Sequence, residues 1–227
     1  MCTYTDLELV LQYLEEKFGS NKTNIIAFSY GSIMTRLLLS KPVPIVKPGW
    51  YPQTALLNSC PFDITTNNFI TFEKIGYLGL IYNYLLTKRM KKTYITLNLA
   101  TPDSLECVKI LRHLDDKFLA PAWGYEGYKD FYRAASTFKK DVENIKIPVI
   151  ILNSRDDPLV HPKATPGEWF AGSKFVMLAR AFSGGHCAFI PFGWNWKRYS
   201  TYFEDIVDQY LEKSYIDELV EKAEIFN

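Results

Sequence analysis

The chain has 227 residues, 48% of them apolar and 15% aromatic, and its 26 basic and 25 acidic side chains leave a formal net charge of +1. This is long enough for one domain with a sizeable core, too apolar for a disordered or collagen-like chain, and without the basic excess that a nucleic-acid partner would call for. Cys2, Cys60, Cys107 and Cys187 are scattered with no CxxC pair, which argues against a zinc site or disulfide framework and fits a reducing compartment. Charged residues appear from Asp6 onward with no apolar leader, so no signal peptide is expected.

The first predicted element is an amphipathic helix from about Thr5 to Phe18. Thr5 is a suitable N-cap with Glu8 as its capping-box partner, and Leu7, Leu11 and Leu14 recur at helical spacing. Gly19-Ser20-Asn21 stops it. The apolar run Asn24–Phe28 then reads as a strand, and Ile33, Met34, Leu37 and Leu38 read as a helix reaching about Ser40. Between them lies Ala27-Phe28-Ser29-Tyr30-Gly31. A serine at a sharp strand-to-helix turn with small residues two places before and after is the context of a nucleophile elbow. The competing reading is an ordinary N-cap serine.

A proline-rich loop is expected over residues 41–52, then a buried strand Thr54–Asn58 closed by Cys60-Pro61. Residues 67–144 lack strand signals. They open on an aromatic, apolar stretch, with Phe69, Phe72, Leu78, Ile81, Tyr82, Leu85 and Leu86 running into Lys88-Arg89-Met90-Lys91-Lys92. Glu73, Lys74 and Asn83 interrupt this stretch too often for a bilayer span. A lid helix packed on the core with a solvated basic end is preferred over an interfacial helix drawn to anionic lipid. Further helices are predicted over Asp103–Phe118 and Gly127–Ser136, strands over Ile147–Asn153 and Lys174–Leu178, and a closing helix from about Tyr199. Strands separated by helices give an α/β fold with a mostly parallel sheet. Its expected organisation is a single domain, with core 1–66 and 145–227 and a helical lid insertion over 67–144.

A serine hydroxyl needs a base, and the base needs an orienting acid. There are three histidines. His113 sits in a helical pattern and His161 in a loop, whereas His186 follows Ser183-Gly184-Gly185 after a late strand and is free to approach the elbow. His186 is therefore the expected base. Asp156 and Asp157 both lie on the loop after the preceding strand; Asp157, directly before Pro158, is preferred, although Asp-Pro sequences more often cap loops by Asx turns. The chain order Ser29, Asp157, His186 is that of α/β-hydrolases, and the long first gap leaves room for a lid. No P-loop, G-x-G-x-x-G or HExxH is present, so no metal and no cofactor are expected.

Several stretches are more particular than the elbow. They are Tyr4-Thr5-Asp6-Leu7, Cys60-Pro61-Phe62-Asp63, Leu114-Asp115-Asp116-Lys117-Phe118, Tyr132-Arg133-Ala134-Ala135-Ser136, Asn153-Ser154-Arg155-Asp156-Asp157-Pro158 and Gly184-Gly185-His186. With them the sequence resembles the branch of the α/β-hydrolase superfamily that holds YheT-like esterases, yeast medium-chain ethyl-ester synthase/esterases and mammalian monoacylglycerol and phospholipid hydrolases. The resemblance implies Asp157 as triad acid and the backbone N–H of Tyr30 as oxyanion donor. It also implies strands before the first helix, with a second oxyanion donor and any membrane anchor among them; this sequence lacks that region, so an N-terminally truncated fold is expected. The implied function is a serine esterase or lipase acting on small-molecule lipid esters, monoacylglycerols or short- to medium-chain acyl esters, with acyl transfer to alcohols open. Residues 69–86 would shelter the acyl chain. A peripheral membrane contact and a cytoplasmic or membrane-associated location follow. The alternative is an impaired remnant that serves as a lipid-binding or protein-interaction module.

Overall fold

The computed structural model describes residues 4–18, 23–41, 52–74, 76–189 and 206–209. The proline-rich loop, the Gly19-Ser20-Asn21 stop and nearly all of the predicted C-terminal helix lie outside these residues; 206–209 is helical. The chain divides into two compact units, Asp63–Ser136 and the segments before and after it.

The second unit holds the sheet. Four strands, β1 (Asn24–Phe28), β2 (Thr54–Asn58), β3 (Val149–Ser154) and β4 (Val176–Ala181), pair in parallel in that order. Register runs Ile26↔Leu56, Leu56↔Ile150 and Ile150↔Met177. Every residue of β2 and β3 is buried, which explains why both read as unbroken apolar runs rather than alternating ones. Ala55, Leu57, Val149 and Ile151 join Leu39, Val142 and Ile145 in one core cluster. The alternate residues Leu56, Ile150 and Leu152 pack with Phe189 in another, against which Ile206 and Val207 rest. Helix α1 (Tyr4–Phe18) packs Leu11 on Leu38 of α2 (Tyr30–Leu39).

The helical unit has no strand among its described residues. It comprises α3 (Ile64–Asn68), a π-helical turn (Phe69–Lys74), α4 (Gly76–Thr96), and the short helices α5 (Leu111–Leu114), α6 (Ala120–Ala122) and α7 (Tyr128–Ala134). Tyr94, Leu105, Val108 and Leu114 form its core. The helix predicted over Asp103–Phe118 is broken, because Leu111 donates its N–H to Asn83 Oδ1 (2.8 Å) and Ile110 is extended. A buried side chain has replaced the helical acceptor. The predicted packing of α4 is also inverted: its buried residues are Gly79, Asn83, Thr87 and Tyr94, while Leu78, Ile81 and Leu85 are exposed.

Four of the quoted motifs make structural contacts here. Tyr132 donates to Asp115 Oδ2 (2.6 Å), and Ser136 Oγ accepts the Ile64 N–H and donates to Tyr132 O. Burial pushes the Asp115 carboxyl up to about 6, against the lowering effect of the Tyr132 hydrogen bond. Asn153 brackets Cys60, accepting its N–H and donating to its carbonyl.

Candidate active site

Ser29 stands at the turn between β1 and α2 with φ 49° and ψ −113°, a conformation that costs a non-glycine residue about 1–3 kcal/mol. Three hydrogen bonds hold it there. Ser29 donates its N–H to Asn58 O (2.8 Å), and the fully buried Ser32 hydroxyl reaches Ala27 O (2.8 Å) and Asn58 O (2.9 Å). A Cβ at Gly31 would lie 4.0 Å from Ala27 Cβ, an ordinary contact, so the space at 31 admits an alanine. Tyr30 opens α2, and first-turn amides point out along the helix axis with its positive end.

β4 leads into the Gly184-Gly185-His186 loop. Gly185 has φ +62°, and a Cβ on Gly184 would come within 2.6 Å of the buried Phe189 ring. Both glycines are therefore required by geometry. The loop is fixed by side chains to which the sequence assigned no such role. Asp156 Oδ1 accepts from Gly184 N (2.9 Å), Gly185 N (2.9 Å) and Ser154 Oγ (2.7 Å), and Ser154 Oγ also meets Gly185 O. Asp156 is thus a loop brace rather than the partner of the histidine. Desolvation would raise its carboxyl, but the Ser154, Gly185 and Gly184 hydrogen bonds hold it below the usual range. From the other side Ser59 Oγ accepts the Cys187 N–H (3.0 Å), and Asn58 Nδ2 donates to Cys187 O (3.3 Å). Their signal in the sequence is polarity at the end of an otherwise apolar buried strand, where a buried polar group needs a partner.

The structure brings Ser29, Asp157 and His186 together. His186 Nδ1 lies 3.0 Å from both oxygens of Asp157, and Nε2 lies 2.9 Å from Ser29 Oγ. The Asp157 side chain is fully buried and that of His186 is 20% exposed. Asp157 also forms the Asx turn foreseen as its bland role, its Oδ1 accepting from Leu159 N and Val160 N. One carboxylate makes both the histidine contact and the turn. Burial alone would lower His186, but hydrogen bonding to Asp157 and Cys187, with their charges, raises it to about 9. His113 is exposed and accepts from Lys109 N, and His161 accepts from Lys163 N; neither is hydrogen-bonded to Ser29. Among the described residues no group of His, Cys, Asp and Glu could hold a metal ion.

A solved α/β-fold hydrolase from Bacillus anthracis superposes with a TM-score of 0.52 at 11% identity, covering 96% of this chain and 74% of that one. Bovine phospholipase ABHD3 is 26% identical over 219 residues, 93% of this chain and 51% of its own length. The chain has the α/β-hydrolase fold. The yeast medium-chain fatty acid ethyl ester synthase/esterase 2 is 33% identical over 93 residues, 40% of this chain and 20% of that protein. Yeast monoacylglycerol lipase is 26% identical over 193 residues, 80% of this chain and 41% of its own. The chain spans about half the length of the first curated relatives it matches. No family model matches it.

Proposed function

We propose that the chain is a serine ester hydrolase for lipid-like esters, monoacylglycerols or short- to medium-chain acyl esters, with Ser29 as nucleophile, His186 as base and Asp157 as orienting acid. The observation that carries this reading is the unbroken hydrogen-bonded line from the strained Ser29 through His186 to buried Asp157. The names of the similar proteins, lipases and esterases of lipids, support the substrate class.

The chemistry follows from the ring geometry. With its Nδ1–H on Asp157, neutral His186 presents the Nε2 lone pair to the Ser29 hydroxyl. As Ser29 Oγ attacks the acyl carbonyl carbon, its proton passes to Nε2 and negative charge collects on the carbonyl oxygen. The Tyr30 N–H, with the positive end of α2 behind it, stabilises that charge. His186 then gives the proton to the departing alcohol oxygen, leaving an acyl group on Ser29. Water, deprotonated by His186 in the same manner, releases the acid; an alcohol in place of water gives a new ester. Asp157 keeps the tautomer fixed and stabilises the imidazolium. Residues 67–144 serve as the lid of a single hydrolase domain.

The test is turnover of a panel of monoacylglycerols and p-nitrophenyl acyl esters by wild type and Ser29→Ala. Release of acid by wild type, reduced at least about 1,000-fold in the mutant, is expected. Binding of these lipids without turnover by the folded wild type would instead mark a lipid-binding module and overturn the proposal.

A further inference from the structure

The helical unit carries an exposed apolar and basic surface on α4. α4 is built inside out. Its buried line, Gly79, Asn83 and Thr87, advances four residues at a time and is small or polar. That line is satisfied within its own unit: Asn83 Nδ2 donates to Phe72 O, Asn83 Oδ1 accepts the Leu111 N–H, and Thr87 donates to Asn83 O. On the opposite face Tyr77, Leu78, Ile81, Tyr84 and Leu85 are between 51% and 88% exposed. The same face continues one turn on as Lys88 and Lys92, with Arg89 beside them, all three exposed. The whole helix contains Lys88, Arg89, Lys91 and Lys92 and no acidic residue.

We propose that α4 docks on a lipid bilayer surface, its apolar half entering the acyl boundary and its basic half lying on anionic headgroups. Exposed contiguous apolar faces of this kind mark interaction sites rather than ordinary solvent-facing helix. The charge pattern chooses the occupant. A cluster of cations free of acids, placed directly beyond an apolar stripe, complements an anionic lipid layer. Tyr77 and Tyr84 suit the depth at which a ring is in contact with acyl chains and its hydroxyl with water. Residues 77–85 rise about 12 Å along the helix, which suits insertion at the interface. No helix of the described residues is long and apolar enough to cross a membrane. This docking holds whether or not Ser29 turns over.

The experiment is flotation of the full chain with phosphatidylcholine vesicles and with vesicles containing 30% phosphatidylserine, at low and high salt. Wild type and Ser29→Ala are expected to float equally with anionic vesicles, weakly with neutral ones, and less as salt rises. Lys88→Gln with Lys92→Gln should weaken partitioning into anionic vesicles on the order of 25-fold, at about fivefold per basic residue. Ile81→Ser with Leu85→Ser should weaken binding to both vesicle types. Equal flotation on neutral and anionic vesicles, or no effect of the lysine pair, would overturn the proposal. So would loss, in Ile81→Ser with Leu85→Ser, of a concentration-dependent dimer with vesicle binding unchanged, since the face would then cover a second copy of the chain.

Discussion

At the scale of single residues, the site depends on how the loop bearing His186 is held. Asp156 gathers two backbone amides of that loop and one hydroxyl on a single oxygen, so its removal should let the imidazole drift from Ser29. Asp156→Ala is expected to lower kcat by about 10- to 100-fold, the cost of misplacing a catalytic group by about 1 Å, with little change in KM. Steady-state kinetics of the folded variant tests this; a changed KM with unchanged kcat would place Asp156 elsewhere in the reaction. The raised His186 gives a second expectation. In the proposed mechanism His186 works as base only when neutral, and its proton is held up to about 9, so kcat/KM should climb through neutral pH and level off above about 9. A rate that is flat from pH 6 to 9 would contradict that environment.

At the scale of elements, the elbow is a junction of β1, β2 and α2 tied by Ser32. Its hydroxyl is fully buried between the Ala27 and Asn58 carbonyls, and Ser32→Ala should cost about 1 kcal/mol of stability in urea unfolding while leaving Ser29 in place. In the helical unit, the Asp115 carboxyl is held up to about 6 from an ordinary value of 3.8. A carboxyl raised in the folded state favours folding fully below its unfolded value and loses that contribution as pH rises through 6. Relative to Asp115→Asn, wild type should therefore lose thermal stability between about pH 4 and 7; parallel melting profiles would remove Asp115 as the cause. The strands were legible because β1 to β3 are short, apolar and bounded by turn residues. The helix expected over Asp103–Phe118 was not, since nothing local reveals that Asn83, many residues upstream, captures the Leu111 amide. The face of α4 was misread for a related reason: periodicity identifies an apolar stripe but not the side on which its partner lies.

At the scale of the whole molecule, the order of nucleophile, acid and base along the chain carried most of the functional reading. Three residues far apart in sequence meet because parallel strands deliver their C-terminal ends to one edge of the sheet. Chain order pointed to Ser29, Asp157 and His186 but not to the polar frame around them, because the contacts of Asn58, Ser59, Ser154 and Asp156 with the His186 loop exist only once the strand ends are brought together. The α/β-hydrolase fold is established, and the chain spans about half the length of the first curated relatives it matches. Whether the proposed triad is active in this chain is the central question. Labelling with a fluorophosphonate, read by intact mass and peptide mapping, addresses it most directly. The account predicts one adduct, on Ser29, absent from Ser29→Ala and from His186→Ala. A folded wild-type chain that takes no label, or takes it equally in the Ser29→Ala variant, would contradict it.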